Sequence, residues 1–418
     1  MTISSANSRR DGSMRISIVG INFAPEVTGI APYTTSLAAF LAKQGHEVVV
    51  MTSYPHYPEW RTRNRLTASE LESLPRGVAI RRLRHYVPSS PSFIKRILME
   101  LSFAFRVLFS HWGRPAVVLT VSPSLIASAA VILKARIRLV SRRPCVITWV
   151  QDLYSLGAKE TGMTGDRGAS LVTSVEGLVL RRSSKVVVIH GSFEEHAVVN
   201  LGCSRERVSV VPNWSHVNRE PESNREADRA AFGWTGRTIV LHAGNMGVKQ
   251  GLENVVDAAK FVDVDSVSKL MFFLLGDGGE RAKLQNLIGG LKSVEILKPV
   301  DDEMFVRMLR AADILLVNEK PGVREMAVPS KLTSYFSSGR PVVAAVDPSG
   351  LTAREIQRAG GGVCVLPGRP ELLVQKLQAL AGDSDLMESL GESGRAYSFE
   401  KLSAGDSLSH LELLVTTR

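Results

Sequence analysis

Short apolar runs and longer segments with helical spacing take turns along this chain. The runs at residues 15–20, 47–52, 78–83, 116–121, 146–150, 186–189 and 208–211 are rich in Val and Ile. Runs of this length and composition predict strands buried on both faces. Between them, residues 33–44, 124–137 and 171–182 carry apolar positions at helical spacing, as Leu37, Phe40 and Leu41 do in the first. Pro212-Asn213-Trp214 closes this half. Residues 216–236 are polar and charge-rich, which predicts a linker with a short helix. The alternation then restarts. Strands are expected at 238–242, 269–275, 294–297, 314–317, 341–345 and 362–365, and helices at 252–262, 280–287, 303–311, 331–337 and 351–358.

Strands alternating with helices build a parallel sheet covered by crossover helices. The expected fold class is therefore α/β, with two Rossmann-like, doubly wound parallel-sheet domains. In such sheets ligands bind beyond the carboxyl ends of the strands, so the two domains are expected to face each other across a cleft. The expected organisation is a disordered tail at 1–13, a first domain at 14–215, a linker at 216–237, a second domain at 238–395 and a closing helix at 396–418.

Charge divides this picture unevenly. Residues 1–215 hold 27 Lys and Arg against 14 Asp and Glu, and the remainder hold 24 against 27. A basic first half suggests an anionic partner. No zinc-finger or RNA-binding motif is present, so a membrane surface is favoured over nucleic acid. The 3 cysteines lie far apart without a CxxC spacing, which points away from zinc or a disulfide framework. No apolar run is long enough for a spanning helix, and the polar start lacks the apolar core of a signal peptide. The expected location is the cytoplasm, with peripheral contact to the inner face of the membrane as an addition. That addition rests on residues 93–112, where Phe93, Ile94, Ile97, Leu98, Leu101, Phe103, Phe105, Phe109 and Trp112 are interspersed with Lys95, Arg96 and Arg106. Such a segment is either an interfacial helix inserting Phe103, Phe105 and Phe109 into lipid or a buried crossover helix with snorkelling arginines.

The candidate chemistry sits where strands end. Leu241-His242-Ala243-Gly244-Asn245-Met246-Gly247-Val248-Lys249-Gln250-Gly251 runs from a strand through glycines into a helix. Glycines allow close backbone approach, and a helix start offers free N–H groups to an anion. The spacing matches neither a dinucleotide site nor a P-loop. Four further segments share this placement: Asn22 to Tyr33 with Gly29, Val150-Gln151-Asp152-Leu153-Tyr154, Leu275-Gly276-Asp277-Gly278-Gly279-Glu280, and Gly322 to Phe336 followed by Gly339-Arg340-Pro341. This is a place for a diphosphate, whose negative charge calls for fixed cations and N–H donors. Lys249, Lys331 and Arg324 are the available cations. Asp301-Asp302 and Asp383-Ser384-Asp385 read as helix caps or surface rather than a metal pair. His190 reads as a core or turn residue.

On these residues the sequence resembles the family 4 retaining glycosyltransferases of GT-B fold, over about residues 14–400, and within them the WcaI-like exopolysaccharide branch. The carriers are Pro25-Glu26-Val27-Thr28-Gly29-Ile30, Gly45-His46-Glu47-Val48, Tyr54-Pro55-His56-Tyr57-Pro58-Glu59-Trp60, Val150 to Tyr154, Ala243 to Gly247 and Val328-Pro329-Ser330-Lys331-Leu332. The resemblance implies transfer of a sugar, with retention, from a nucleotide diphosphate to a saccharide acceptor, often lipid-linked, without a cofactor or an essential metal. It implies donor contacts at Gly29, Gly244, Asn245, Lys249, Gln250, Gly276, Asp277, Arg324, Lys331 and Ser334, and catalytic roles for Asp152 and Glu325. The pattern departs from the wider family in several places. Asn245 stands for an arginine, Gln250 for a lysine, and Met326 and Ser334 for two glutamates. Asp152 as a helix cap and Glu325 as a solvated loop residue are the plain alternatives. A sugar-nucleotide epimerase of the same double fold and a non-catalytic nucleotide-sugar-binding protein are the competing functions.

Overall fold

In the computed structural model of the protein the described residues are 12–26, 29–57, 59–90, 92–137, 143–156, 166–215, 224–265, 267–324 and 331–417. The chain divides into two compact units, Met1–Pro212 with Gly405–Arg418, and Asn213–Ala404.

The first unit is built on seven parallel strands: β1 (Arg15–Val19), β2 (Glu47–Ser53), β3 (Val78–Leu83), β4 (Val117–Val121), β5 (Cys145–Val150), β6 (Lys185–Val188) and β7 (Val208–Val210), in the order β3-β2-β1-β4-β5-β6-β7. The second has six: β8 (Thr238–Ala243), β9 (Leu270–Leu275), β10 (Val294–Leu297), β11 (Ile314–Asn318), β12 (Val342–Ala345) and β13 (Gly362–Val365), in the order β10-β9-β8-β11-β12-β13. β4, β9, β11 and β12 are buried at every position, which explains their apolar sequences, interrupted only by Thr120 in β4 and Asn318 in β11. The order reverses between β1 and β4 in one sheet and between β8 and β11 in the other. These are the switch points outside which open α/β sheets place their ligands.

The short helix expected in the linker segment is present as Arg225–Ala231. Residues 224–237 belong to the second unit, where Arg225 and Arg229 grip the two carboxylate oxygens of Asp313 at 2.6 and 2.9 Å. Asp228 is buried against Arg307, and Trp234 stacks on Phe273. Charge that suggested a linker with a short helix is thus held in fixed pairs at Arg225, Asp228 and Arg229. The boundary expected at residue 395 falls inside the helix Ser384–Lys401. The last helix, Ala404–Thr416, packs on the first unit: Glu412 meets His46 at 3.2 Å, and Lys185 donates to the Leu414 carbonyl.

The helix Phe93–Phe109 is apolar on two faces. Met99, Phe103 and Val107 are buried with Trp112, while Ile94, Leu98, Leu101, Phe105 and Phe109 are exposed. Insertion of Phe103 into lipid is thereby excluded, since it is 0% exposed in the core. Phe105 and Phe109, at 61% and 72% exposure, lie outside the core and pack ring to ring at 4.7 Å. Among the described residues no helix is long and apolar enough to cross a membrane.

Candidate functional site

The second unit draws its sequence-flagged loops together at the β8/β11 switch point. Gly244 follows β8 and Gly276 follows β9, both at positive φ, 137° and 143°. The two backbones touch: a Cβ on Gly276 would stand 2.0 Å from the Gly244 carbonyl oxygen. Backbone bonds join the same loops, from Gly244 N to the Leu275 carbonyl and from Met246 N to the Asp277 carbonyl. Glycine is thus required by close approach as well as by φ.

Lys331 opens the helix Lys331–Ser337. Its side chain reaches Gly244, placing Cε and Nζ 3.5 and 3.6 Å from where a Cβ of that glycine would stand. Nζ also lies 3.3 Å from Nε2 of His242, whose Nδ1 faces the Leu316 carbonyl at 3.2 Å. A carbonyl only accepts and an ammonium only donates. The imidazole is therefore neutral, with the proton on Nδ1 and Nε2 accepting from Lys331. Burial, followed by the Lys331 charge, holds the His242 pKa well below its ordinary value. Burial also lowers Lys331, to about 8, against an opposing pull from Glu319. Tyr335, one turn on, ties the helix to the strand by accepting from Ala243 N at 2.7 Å.

The other flagged residues divide. Gln250 braces the loop, its Oε1 accepting from Gly247 N at 3.0 Å and its carbonyl accepting from Asn318 at 2.7 Å. Asn245 is exposed beside Gly247, and Lys249 is exposed, its carbonyl held by Lys320 N. Asp277 turns its carboxylate onto Gly278 N. Arg324, expected as an available cation, is paired with Asp347 at 2.8 Å. That carboxyl sits near a pKa of about 2, held down by Ser349 and then by Arg324. Ser334 is half-buried on the Lys331 helix. Glu325 lies outside the described residues. Asp301 and Asp383 cap helices, accepting from Met304 N and Leu386 N, and His190 caps Gly191–Glu195.

In the first unit Gly29 follows β1 at φ 64° and Asp152 follows β5. The Asp152 carboxylate accepts from Leu153 N at 2.9 Å, and its carbonyl accepts from Ser122 after β4. Three buried glutamates to which the sequence reading gave no role hold this edge. Glu26 accepts from His56 N, Tyr57 N and Asn22, joining the β1 and β2 loops. Glu176 accepts from Tyr154 N and Ser155 N, and Glu100 accepts from the Tyr154 hydroxyl and Ile126 N. Burial raises Glu100 to about 7. An acid interrupting an apolar helix face was the available signal for Glu100 and Glu176. Among the described residues no three His, Cys, Asp or Glu side chains converge as metal ligands.

Two parallel-sheet units, the second with a glycine cradle and a lysine at its switch point, are the architecture of the GT-B fold. Residues 28–214 match the family described as Glycosyl transferase 4-like domain, and residues 237–383 match Glycosyl transferases group 1. The protein named "Putative colanic acid biosynthesis glycosyl transferase WcaI" of Escherichia coli (strain K12) is 32% identical over 86% of this chain and 90% of its own. The chain belongs to the family 4, WcaI-like glycosyltransferases. Two solved structures share the fold. HepE from Anabaena, in complex with UDP-glucose, has a TM-score of 0.69 at 15% identity over 97% of this chain and 100% of its own. WaaG, a glycosyltransferase involved in lipopolysaccharide biosynthesis, has a TM-score of 0.69 at 17% identity over 96% and 99%.

Proposed function

We propose that this glycosyltransferase moves a sugar from a nucleoside diphosphate to a saccharide acceptor in cell-surface glycan synthesis, with retention and without an essential metal. The carrying observation is the Lys331 ammonium held by His242 against the Gly244 loop. As the glycosidic bond to phosphate breaks, charge builds on the diphosphate oxygens. An ammonium already fixed there stabilises that charge without reorganising. Lys249, exposed at the same loop, adds a second cation. Asp152, just after β5 in the first unit, is assigned to orienting the acceptor or opposing positive charge at the anomeric carbon. The colanic acid and lipopolysaccharide names of the relatives support a glycan acceptor.

The acceptor in this reading is lipid-linked and the protein sits on the inner face of the membrane. The exposed apolar stripe of Phe93–Phe109 supports this, with Lys95, Arg96 and Arg106 exposed beside it and its one acid, Glu100, buried. A thermal-shift screen of nucleotide sugars tests the donor half. The expected result is a rise in melting temperature with one nucleoside diphosphate sugar, reduced in Lys331→Ala and Lys249→Ala. Equal shifts in all three proteins would refute the phosphate roles.

A further inference from the structure

The motif Tyr54 to Trp60 took no part in the donor site, yet it borders a cavity of its own. This cavity, of about 170 Å³, lies where β2 and β3 end and is lined by Ser53, Tyr54, Thr62, Asn64, Arg84 and His85, among others. It falls below the roughly 300–1,000 Å³ of sites that enclose a whole ligand, so it suits a headgroup rather than a nucleotide sugar. None of its lining residues is acidic. Arg84 is exposed, stands 5.7 Å from the Tyr54 ring, and has no carboxylate partner among the described residues. Glu70, the acid following this loop, is taken by Arg63 and the Thr67 cap. Trp60, on the same loop, is the one non-glycine residue at positive φ among the described residues, at 54°. Such strain is kept where the surroundings fix a loop for use.

The wall Arg84–Val87 is fastened to the helix with the exposed apolar stripe. Tyr86 N donates to Ser102 at 3.0 Å, and the His85 ring packs edge-on against Phe103 at 5.3 Å. A cation and polar donors thus stand directly beside an apolar helix. That arrangement suits a ligand with an anionic head and an aliphatic tail. We propose that this cavity binds the phosphate headgroup of a lipid-linked acceptor, with Arg84 as the cationic fork and Asn64 and Thr62 as further donors. The proposal rests on the lipid-linked reading of the acceptor.

The test is calorimetric titration of the full chain with geranyl phosphate, geraniol and inorganic phosphate. The parent is expected to bind geranyl phosphate more tightly than either control. Loss of a charge-assisted bond of about 1.5–3 kcal/mol weakens that binding about 10- to 150-fold in Arg84→Gln. Asn64→Ala, at an exposed position, should weaken it less while the fold stays intact. Geraniol binding as tightly as geranyl phosphate would overturn the proposal, as would Arg84→Gln and Asn64→Ala both within twofold of the parent. Inorganic phosphate binding equally well would make this a free-phosphate site and overturn the lipid assignment. Nucleotide-sugar binding, measured on the same samples, is expected to be unchanged by either variant. Its absence in all of them would count against the donor reading and leave the headgroup result standing.

Discussion

Lys331 gives the sharpest handle on the donor site, because its proton is linked to the ligand. In the free protein burial lowers its pKa from 10.5 to about 8. The unfolded chain therefore holds more protons than the folded one between those values, and ligand-free stability rises with pH through that window. A diphosphate beside the amine reverses the preference and restores the ammonium. Donor binding must then take up protons, about half a proton at pH 8 where the free amine is half charged. Titration calorimetry with a nucleotide sugar in buffers of different ionisation enthalpy measures this uptake directly. Lys331→Ala should abolish it and cost about 2–4 kcal/mol of transition-state stabilisation, a loss of about 30- to 900-fold in kcat/KM. Lys331→Arg keeps the charge across the window, so it should flatten the pH dependence of donor binding. Uptake that persists unchanged in Lys331→Ala would refute the assignment of this lysine to the diphosphate.

Gly276→Ala should destabilise the second unit by about 2–6 kcal/mol, combining overpacking against the Gly244 carbonyl with strain at positive φ. The check is a drop of at least about 4 °C in its melting transition. EDTA should leave turnover unchanged, and loss of activity restored by a divalent cation would reveal a metal requirement. The protein should sediment with anionic vesicles at low salt and partly release at high salt, each cation near the surface contributing about 1 kcal/mol. The double variant Phe105→Ser and Phe109→Ser should lose the salt-resistant fraction. Equal retention would argue against insertion by those rings.

The central strands were legible because strands buried on both faces read as apolar runs, as Leu270–Leu275 and Val342–Ala345 do. The partly buried edge strands Val78–Leu83, Val294–Leu297 and Gly362–Val365, and the helix Lys331–Ser337, also have the expected bounds. What escaped was long-range pairing. Nothing local to 216–237 announces that Asp313 waits for Arg225 and Arg229, and nothing in the tail tells of His46 and Lys185. The two-faced helix Phe93–Phe109 shows the limit of periodicity, since an apolar position on either side satisfies the same spacing. Within the donor site the glycines and Lys331 stood out by loop chemistry. His242 did not, because its partner is 89 residues away and its own place in an apolar strand marks it as core.

The most direct test of the transferase account is to incubate the protein with a nucleoside diphosphate sugar in the presence and absence of a lipid-linked saccharide, following free nucleoside diphosphate and the sugar product together. The account predicts that nucleoside diphosphate appears in step with the glycosylated acceptor, and only when acceptor is present. Free nucleoside diphosphate and a stereochemically altered sugar without acceptor would instead make the protein an epimerase. Tight binding with no turnover under either condition would make it a nucleotide-sugar-binding protein.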